Sequence, residues 1–238
     1  MGRILEDRLN FVSLYAVFMT YSKKECIFKM TRAFLASFIL MCVFLLPYFA
    51  YIFAQDIPFS RTTLDIGNLL WPLAIFAVLL YEDKKGKLGI WRNPSLGMNL
   101  KTAILSLALG VLWQLVILLL TSLFDVPNTE PREPYTLATL ILHIFSFSII
   151  GPIAEELFLR KWYISVMERA SFGKIAIVVS NALIFYAAHV GTGVWRLDTL
   201  IMAVILCLTY MRTRDIRYCV ITHVTCNLLG IFSAYYFV

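Results

Sequence analysis

The sequence predicts an all-α, polytopic transmembrane helical bundle of about seven spans with its N-terminus in the cytoplasm, and three observations carry that fold class. Of the 238 residues, 60% are hydrophobic and 15% charged, and the mean hydropathy is +0.78. Soluble domains hold roughly 45–50% apolar and about 25% charged residues. The apolar residues gather in seven segments, each bounded by charge or by Gly and Pro. Between segments, Lys and Arg are by turns crowded and sparse, the pattern that orients membrane helices. The net charge of +6 belongs to that alternation, so it points to the lipid bilayer as partner and not to nucleic acid.

Residues 1–30 form a charged leader. Arg3, Glu6, Asp7, Arg8, Lys23, Lys24 and Glu25 surround one short apolar piece, Asn10 to Tyr21, with no small-residue cleavage site behind it. That is not the pattern of a signal peptide, and it predicts an interfacial helix lying on the bilayer. The transmembrane domain, 31–238, follows, with apolar segments at about 31–54, 68–81, 102–123, 136–168, 174–190, 198–211 and 217–236. A helix needs about 20 residues to cross the hydrocarbon core, so the second and sixth are short. The leader is basic, 55–67 holds only Arg61, 82–101 holds Lys84, Lys85, Lys87, Arg92 and Lys101, and 124–135 holds only Arg132. Arg169 and Lys174 flank the next turn, Arg196 stands alone in the following one, and Arg212, Arg214 and Arg217 cluster in the last. Basic loops stay inside, which places the N-terminus in the cytoplasm and the C-terminus on the far side. A multi-pass integral membrane protein is expected, in the cell membrane if the source is bacterial.

The fourth segment, 136–168, is too long for one straight span, and Gly151-Pro152 in its middle removes a backbone donor and favours a kink. A second half-helix should begin there with GPIAEELFLR. Each charged side chain at the centre of a membrane helix costs roughly 2.5–3.5 kcal/mol, so Glu155, Glu156 and Arg160 need a reason to be present. Glu156 and Arg160, four apart, can form an internal ion pair, while Glu155 points about 100° away. Counted back from Glu168, Glu155 lies about 20 Å deep, where burial disfavours an ionised carboxylate unless a partner or water meets it.

Partners are sought among the three histidines. His189 ends the fifth segment about 22 Å from the turn at Lys174, matching the depth of Glu155. His223 lies only about 9 Å beyond Arg217, and Asn227, one turn on along the same face, about 15 Å. Convergence of these groups therefore demands a shifted or tilted last helix. His143, twelve residues before Glu155, reads as a packing residue. Taken singly, His189 and Phe185 also read as packing; taken as a set, ionisable groups inside a membrane mark a functional path.

Glu155-Glu156-xxx-Arg160, Phe185-xxx-His189 and His223-xxx-Asn227, in that order and all within apolar segments, resemble the three motifs of the CPBP family of intramembrane proteases. That family includes the type II CAAX prenyl endopeptidases and proteins described as abortive-infection or bacteriocin-immunity proteins. The resemblance covers about 136–236. Lys161 stands where many members have Gly. The resemblance implies a peptide hydrolase acting on a membrane-anchored or lipidated substrate: a prenylated C-terminus, a C-terminal sorting tail or a peptide precursor. Glu155 would be the general base, His189 would position the water, His223 and Asn227 would stabilise the oxyanion, and Glu156, Arg160 and Phe185 would support them. A base near mid-membrane and donors aimed at a developing oxyanion suit that chemistry.

Other protease chemistries do not fit. The chain has no His-Glu-x-x-His helix and no Gly-x-Ser-x-Gly elbow. Cys26, Cys42, Cys207, Cys219 and Cys226 lack CxxC spacing and read as small core residues. Glu155, His189 and His223 could supply a His₂Glu zinc site. The depth of His223, the face shared by His223 and Asn227, and the apolar neighbours Ala188, Val190 and Val224 disfavour it, so no metal or other cofactor is expected. A reading from another class stays open, a non-catalytic immunity or peptide-binding protein or a proton-coupled transporter.

Overall fold

The computed structural model describes residues 21–55, 61–86, 97–123, 136–189 and 197–236. Among them the chain is helical and contains no strand. The helices are α1 (Lys23–Ala54), α2 (Arg61–Gly86), α3 (Leu100–Leu123), α4 (Leu137–Arg169), α5 (Lys174–His189), α6 (Leu197–Thr213) and α7 (Ile216–Tyr236). α1 to α4 are long and apolar enough to cross a membrane, which marks an integral membrane protein. The interfacial helix expected over Asn10 to Tyr21 lies outside the described residues except for Tyr21, whose backbone N–H donates to the Arg169 carbonyl at 3.1 Å.

α1 and α2 are longer than their apolar segments, and the added turns contain charge. At the start of α1, the Ser22 hydroxyl accepts from the Glu25 N–H at 3.2 Å while Glu25 accepts from the Ser22 N–H at 2.7 Å. This reciprocal cap satisfies two of the donors that a helix start leaves open. α2 extends beyond 68–81 at both ends because its buried acids find partners on other helices. Glu82 accepts from Lys29 at 2.9 Å and Arg32 at 2.5 Å, and Asp65 pairs with His143 of α4 at 2.5 Å. The other faces are oily: Phe28, Leu35, Phe38, Leu46 and Phe53 of α1 point outward. Such a surface is at home against lipid chains.

α3 and α7 make the most extensive helix contact. Gly110 permits it, since a Cβ there would come 2.6 Å from the Thr222 carbonyl oxygen and 2.8 Å from Thr225 Cβ. Close approach through small residues is a main source of helix association in membranes. The Thr222 hydroxyl donates across the same seam to the Ser106 carbonyl at 2.9 Å. Gly110 thus fixes the position of the turn that carries His223.

Instead of breaking at Gly151-Pro152, α4 stays helical over 33 residues. Two π-helical stretches, Ile144–Ile150 and Glu156–Tyr163, flank a short α-helical piece, Gly151–Glu155. In a π turn the N–H bonds five residues back, and the Gly151 N–H accordingly donates to the Ser146 carbonyl. The wider turn absorbs a proline that an α-helix tolerates poorly. At the far end of α4, Arg214 forks onto Glu168 with two bonds of 2.7 Å, tying α4 to the α6–α7 turn. In that turn burial pushes the Asp215 carboxyl up, but the side-chain and backbone hydrogen bonds from Arg217 outweigh it and hold the group below its ordinary value.

The five cysteines are unpaired as disulfides, and all but Cys42 are buried. Cys219 donates to the Leu206 carbonyl at 3.3 Å, and Cys226 lies 3.6 Å from Gln114 Oε1. They serve as small packing residues.

Candidate active site

The second π-helical stretch of α4 carries Glu156 and Arg160, both fully buried. Arg160 Nε lies 3.2 Å from Glu156 Oε2, the ion pair expected from the four-residue spacing. The guanidinium also sits over the Phe185 ring, 4.6 Å from its centroid, which gives a buried cation an aromatic face as well as a carboxylate. Glu156 does more than neutralise Arg160. Its other oxygen, Oε1, lies 2.9 Å from His223 Nδ1, so it holds the imidazole of α7 as well.

That contact resolves the expected depth mismatch. Arg217 is folded onto Asp215 at 2.6 Å, whereas Glu168 is level with Arg214. Counting from Arg217 therefore sets His223 too shallow relative to Glu155. In the structure, His223 Nε2 lies 4.0 Å from Glu155 Oε2. That oxygen is buried and has no hydrogen-bond partner among the described residues. An unsatisfied buried carboxylate oxygen costs stability, and in native proteins it is a pointer to chemistry or to bound water.

Phe185 joins the remaining groups. Its ring stacks on His189 with centroids 4.4 Å apart and meets His223 at an edge, 5.9 Å away. Its carbonyl oxygen lies 2.7 Å from His189 Nδ1. A carbonyl only accepts, so Nδ1 carries the proton and a neutral His189 presents Nε2 as an acceptor. The same logic applies to His223 facing an ionised Glu156: Nδ1 donates, and donation from Nε2 requires the doubly protonated ring. Asn227, one turn beyond His223, directs its amide nitrogen to the Phe147 carbonyl at 3.2 Å. The geometry thus gathers Glu155, Glu156, Arg160, Phe185 and His223 directly, His189 through Phe185, and sets Asn227 on α7 against the first π-helical stretch of α4.

Residues 137–229 match the family model for the type II CAAX prenyl endopeptidase Rce1-like proteins. Over that stretch the chain is similar to this family. That family is one of proteases. The matched stretch holds all seven site residues in less than half of the chain. No curated protein and no solved structure matches the sequence.

The matched stretch contains supporting residues that the motifs did not single out. Asn181, fully buried on α5 and one turn before Phe185, donates to the Leu159 carbonyl at 2.6 Å and so fastens α5 to the π-helical stretch of α4. A polar residue one turn from a motif position in an apolar helix was a usable signal. His143, read as packing, holds Asp65 and stacks on Phe147 with centroids 5.3 Å apart. Nothing near position 65 announced that pair. Among the described residues, no three His, Cys, Asp or Glu side chains gather as a metal-holding group.

Proposed function

We propose that the chain is an intramembrane endopeptidase in which Glu155 activates water to cleave a peptide bond of a membrane-associated substrate. The observation that carries this reading is the unpartnered Glu155 Oε2, buried in the bundle and 4.0 Å from His223 Nε2. Water beside that oxygen loses a proton to Glu155 as its oxygen attacks the carbonyl carbon. His189 orients the same water by accepting from it through Nε2. The oxyanion takes hydrogen bonds from Asn227 and from His223 in its doubly protonated form, a cation flanked by Glu155 and Glu156. Collapse of the tetrahedral intermediate breaks the C–N bond, and Glu155 returns its proton to the leaving amine. No step requires a metal ion.

The same reading takes the helices as seven passes with the N-terminus in the cytoplasm, following the distribution of Lys and Arg. Substrates are membrane-anchored peptides, either prenylated C-termini or unprenylated tails and precursors. The test is cleavage of both peptide types by purified protein in proteoliposomes, with Glu155→Gln alongside. Cleavage by wild type and not by the variant supports the assignment. Tight binding of peptide without cleavage, or peptide-independent proton flux, would favour an immunity or transport role instead.

A further inference from the structure

Asn227 has two amide hydrogens, and the Phe147 carbonyl takes one of them. Why that carbonyl is available follows from helix register. In an α-helix its donor would be the N–H of Gly151, but that N–H goes to Ser146. In the π register its donor would be residue 152, five positions on. Residue 152 is proline and has no N–H. Neither register supplies a backbone donor, and inside a bilayer, where no water meets it, a carbonyl left so needs one from elsewhere. Asn227 provides it from α7.

The surrounding contacts hold the carbonyl in place. The Phe147 ring stacks nearly parallel on His143, at an interplanar angle of 7°, and His143 Nδ1 is bonded to buried Asp65. Gly151 suits the π turn, because a Cβ there would lie 3.2 Å from the Ser146 oxygen that accepts its own N–H.

We propose that Pro152 is a positioning residue: in the π-helical register it leaves the Phe147 carbonyl open to take the Asn227 amide, and so aims the second N–H of Asn227 at the oxyanion. This rests on the role given to Asn227 above. The carbonyl acts on Asn227, and Pro152 acts through the carbonyl, without touching substrate.

Pro152→Ala restores a backbone donor, which competes with Asn227 for the Phe147 carbonyl. It also removes a helix-breaking residue, which by itself favours the helix. The experiment measures kcat, KM and the unfolding midpoint for wild type, Pro152→Ala, Asn227→Ala and the double variant in proteoliposomes with a membrane-anchored peptide that wild type cleaves. Pro152→Ala is expected to lower kcat at least about tenfold with KM within about threefold, as for a disturbed oxyanion donor. Its unfolding midpoint should hold or rise. The double variant should be no slower than Asn227→Ala, because the carbonyl has nothing left to orient. Pro152→Gly, which restores the same donor, should repeat the kcat loss.

Losses that multiply in the double variant, an unchanged kcat in Pro152→Ala, or loss of folded protein in both Pro152 variants would each overturn the inference. Failure of the underlying reading shows separately, as full activity in Glu155→Gln or Asn227→Ala.

Discussion

Glu156 Oε1 and His223 Nδ1 lie 2.9 Å apart, on residues 67 positions distant in the chain, and this contact joins α4 to α7 at the site. A carboxylate in that place accepts from Nδ1 and balances the charge of a ring that must also donate from Nε2. Glu156→Gln carries no charge, so that support is lost while the shape remains. We expect kcat to fall by about 10²–10⁴, in line with losing the carboxylate partner of a catalytic histidine elsewhere, with a shifted pH–rate profile. A profile superimposable on wild type would remove Glu156 from this role.

Glu155→Gln should abolish cleavage and leave expression and unfolding midpoint intact, because the amide is nearly isosteric and cannot take up the proton. Turnover near the wild-type rate in proteoliposomes would end the assignment of Glu155 as base.

Arg160→Ala takes away the cation that balances Glu156 inside the bundle. Breaking a buried pair from one side typically costs about 3–5 kcal/mol. Lower folded yield and lower activity should therefore appear together, measured by size-exclusion recovery and peptide cleavage. A fully stable but inactive variant would instead put Arg160 in contact with substrate.

Activity should survive exhaustive chelation, with fewer than about one zinc per ten molecules by elemental analysis, since structural and catalytic zinc are held tightly enough to be counted. Stoichiometric metal, lost together with activity and regained on adding it back, would turn Glu155 from base to ligand.

The Asp215 carboxyl is held below its ordinary value by Arg217, so its contribution to stability is present above the unfolded value of about 3.9 and vanishes as pH falls through the lower folded value. Asp215→Asn should lower the unfolding midpoint at neutral pH. The difference from wild type should close on acidification below about pH 3.9. A gap that stays constant over this range would show that the charge of Asp215 is not what stabilises the turn.

Much of this was legible in the chain. The three motifs stand in order within apolar segments, and the structure brings Glu155, Glu156, Arg160, Phe185 and His223 together, with His189 against Phe185. Helix lengths were less legible, because a charge looks like a boundary until its partner is known. Asp65 and Glu82 belong inside α2 only because His143, Lys29 and Arg32 reach them from other helices. Ser22 and Glu25, by contrast, announced the start of α1 with a three-residue spacing that apolar counting passed over. Gly151-Pro152 was visible as a disturbance, but its form was not: a π-helical register depends on where each N–H finds an acceptor, and side-chain periodicity does not report that.

The two π-helical stretches also decide where α4 tolerates a change of length. A single π turn is an α-helix into which one extra residue has been fitted. Each residue removed from an α-helix turns everything beyond it by about 100°. Deleting one residue between 144 and 150 lets the π turn close up to the α register and leaves Glu155, Glu156 and Arg160 facing His223. The α-helical piece Gly151–Glu155 has no surplus residue to give up. Deletion of Phe145 should therefore leave folded protein, while deletion of Ile153 should be null, a contrast that a scan of single-residue deletions would expose.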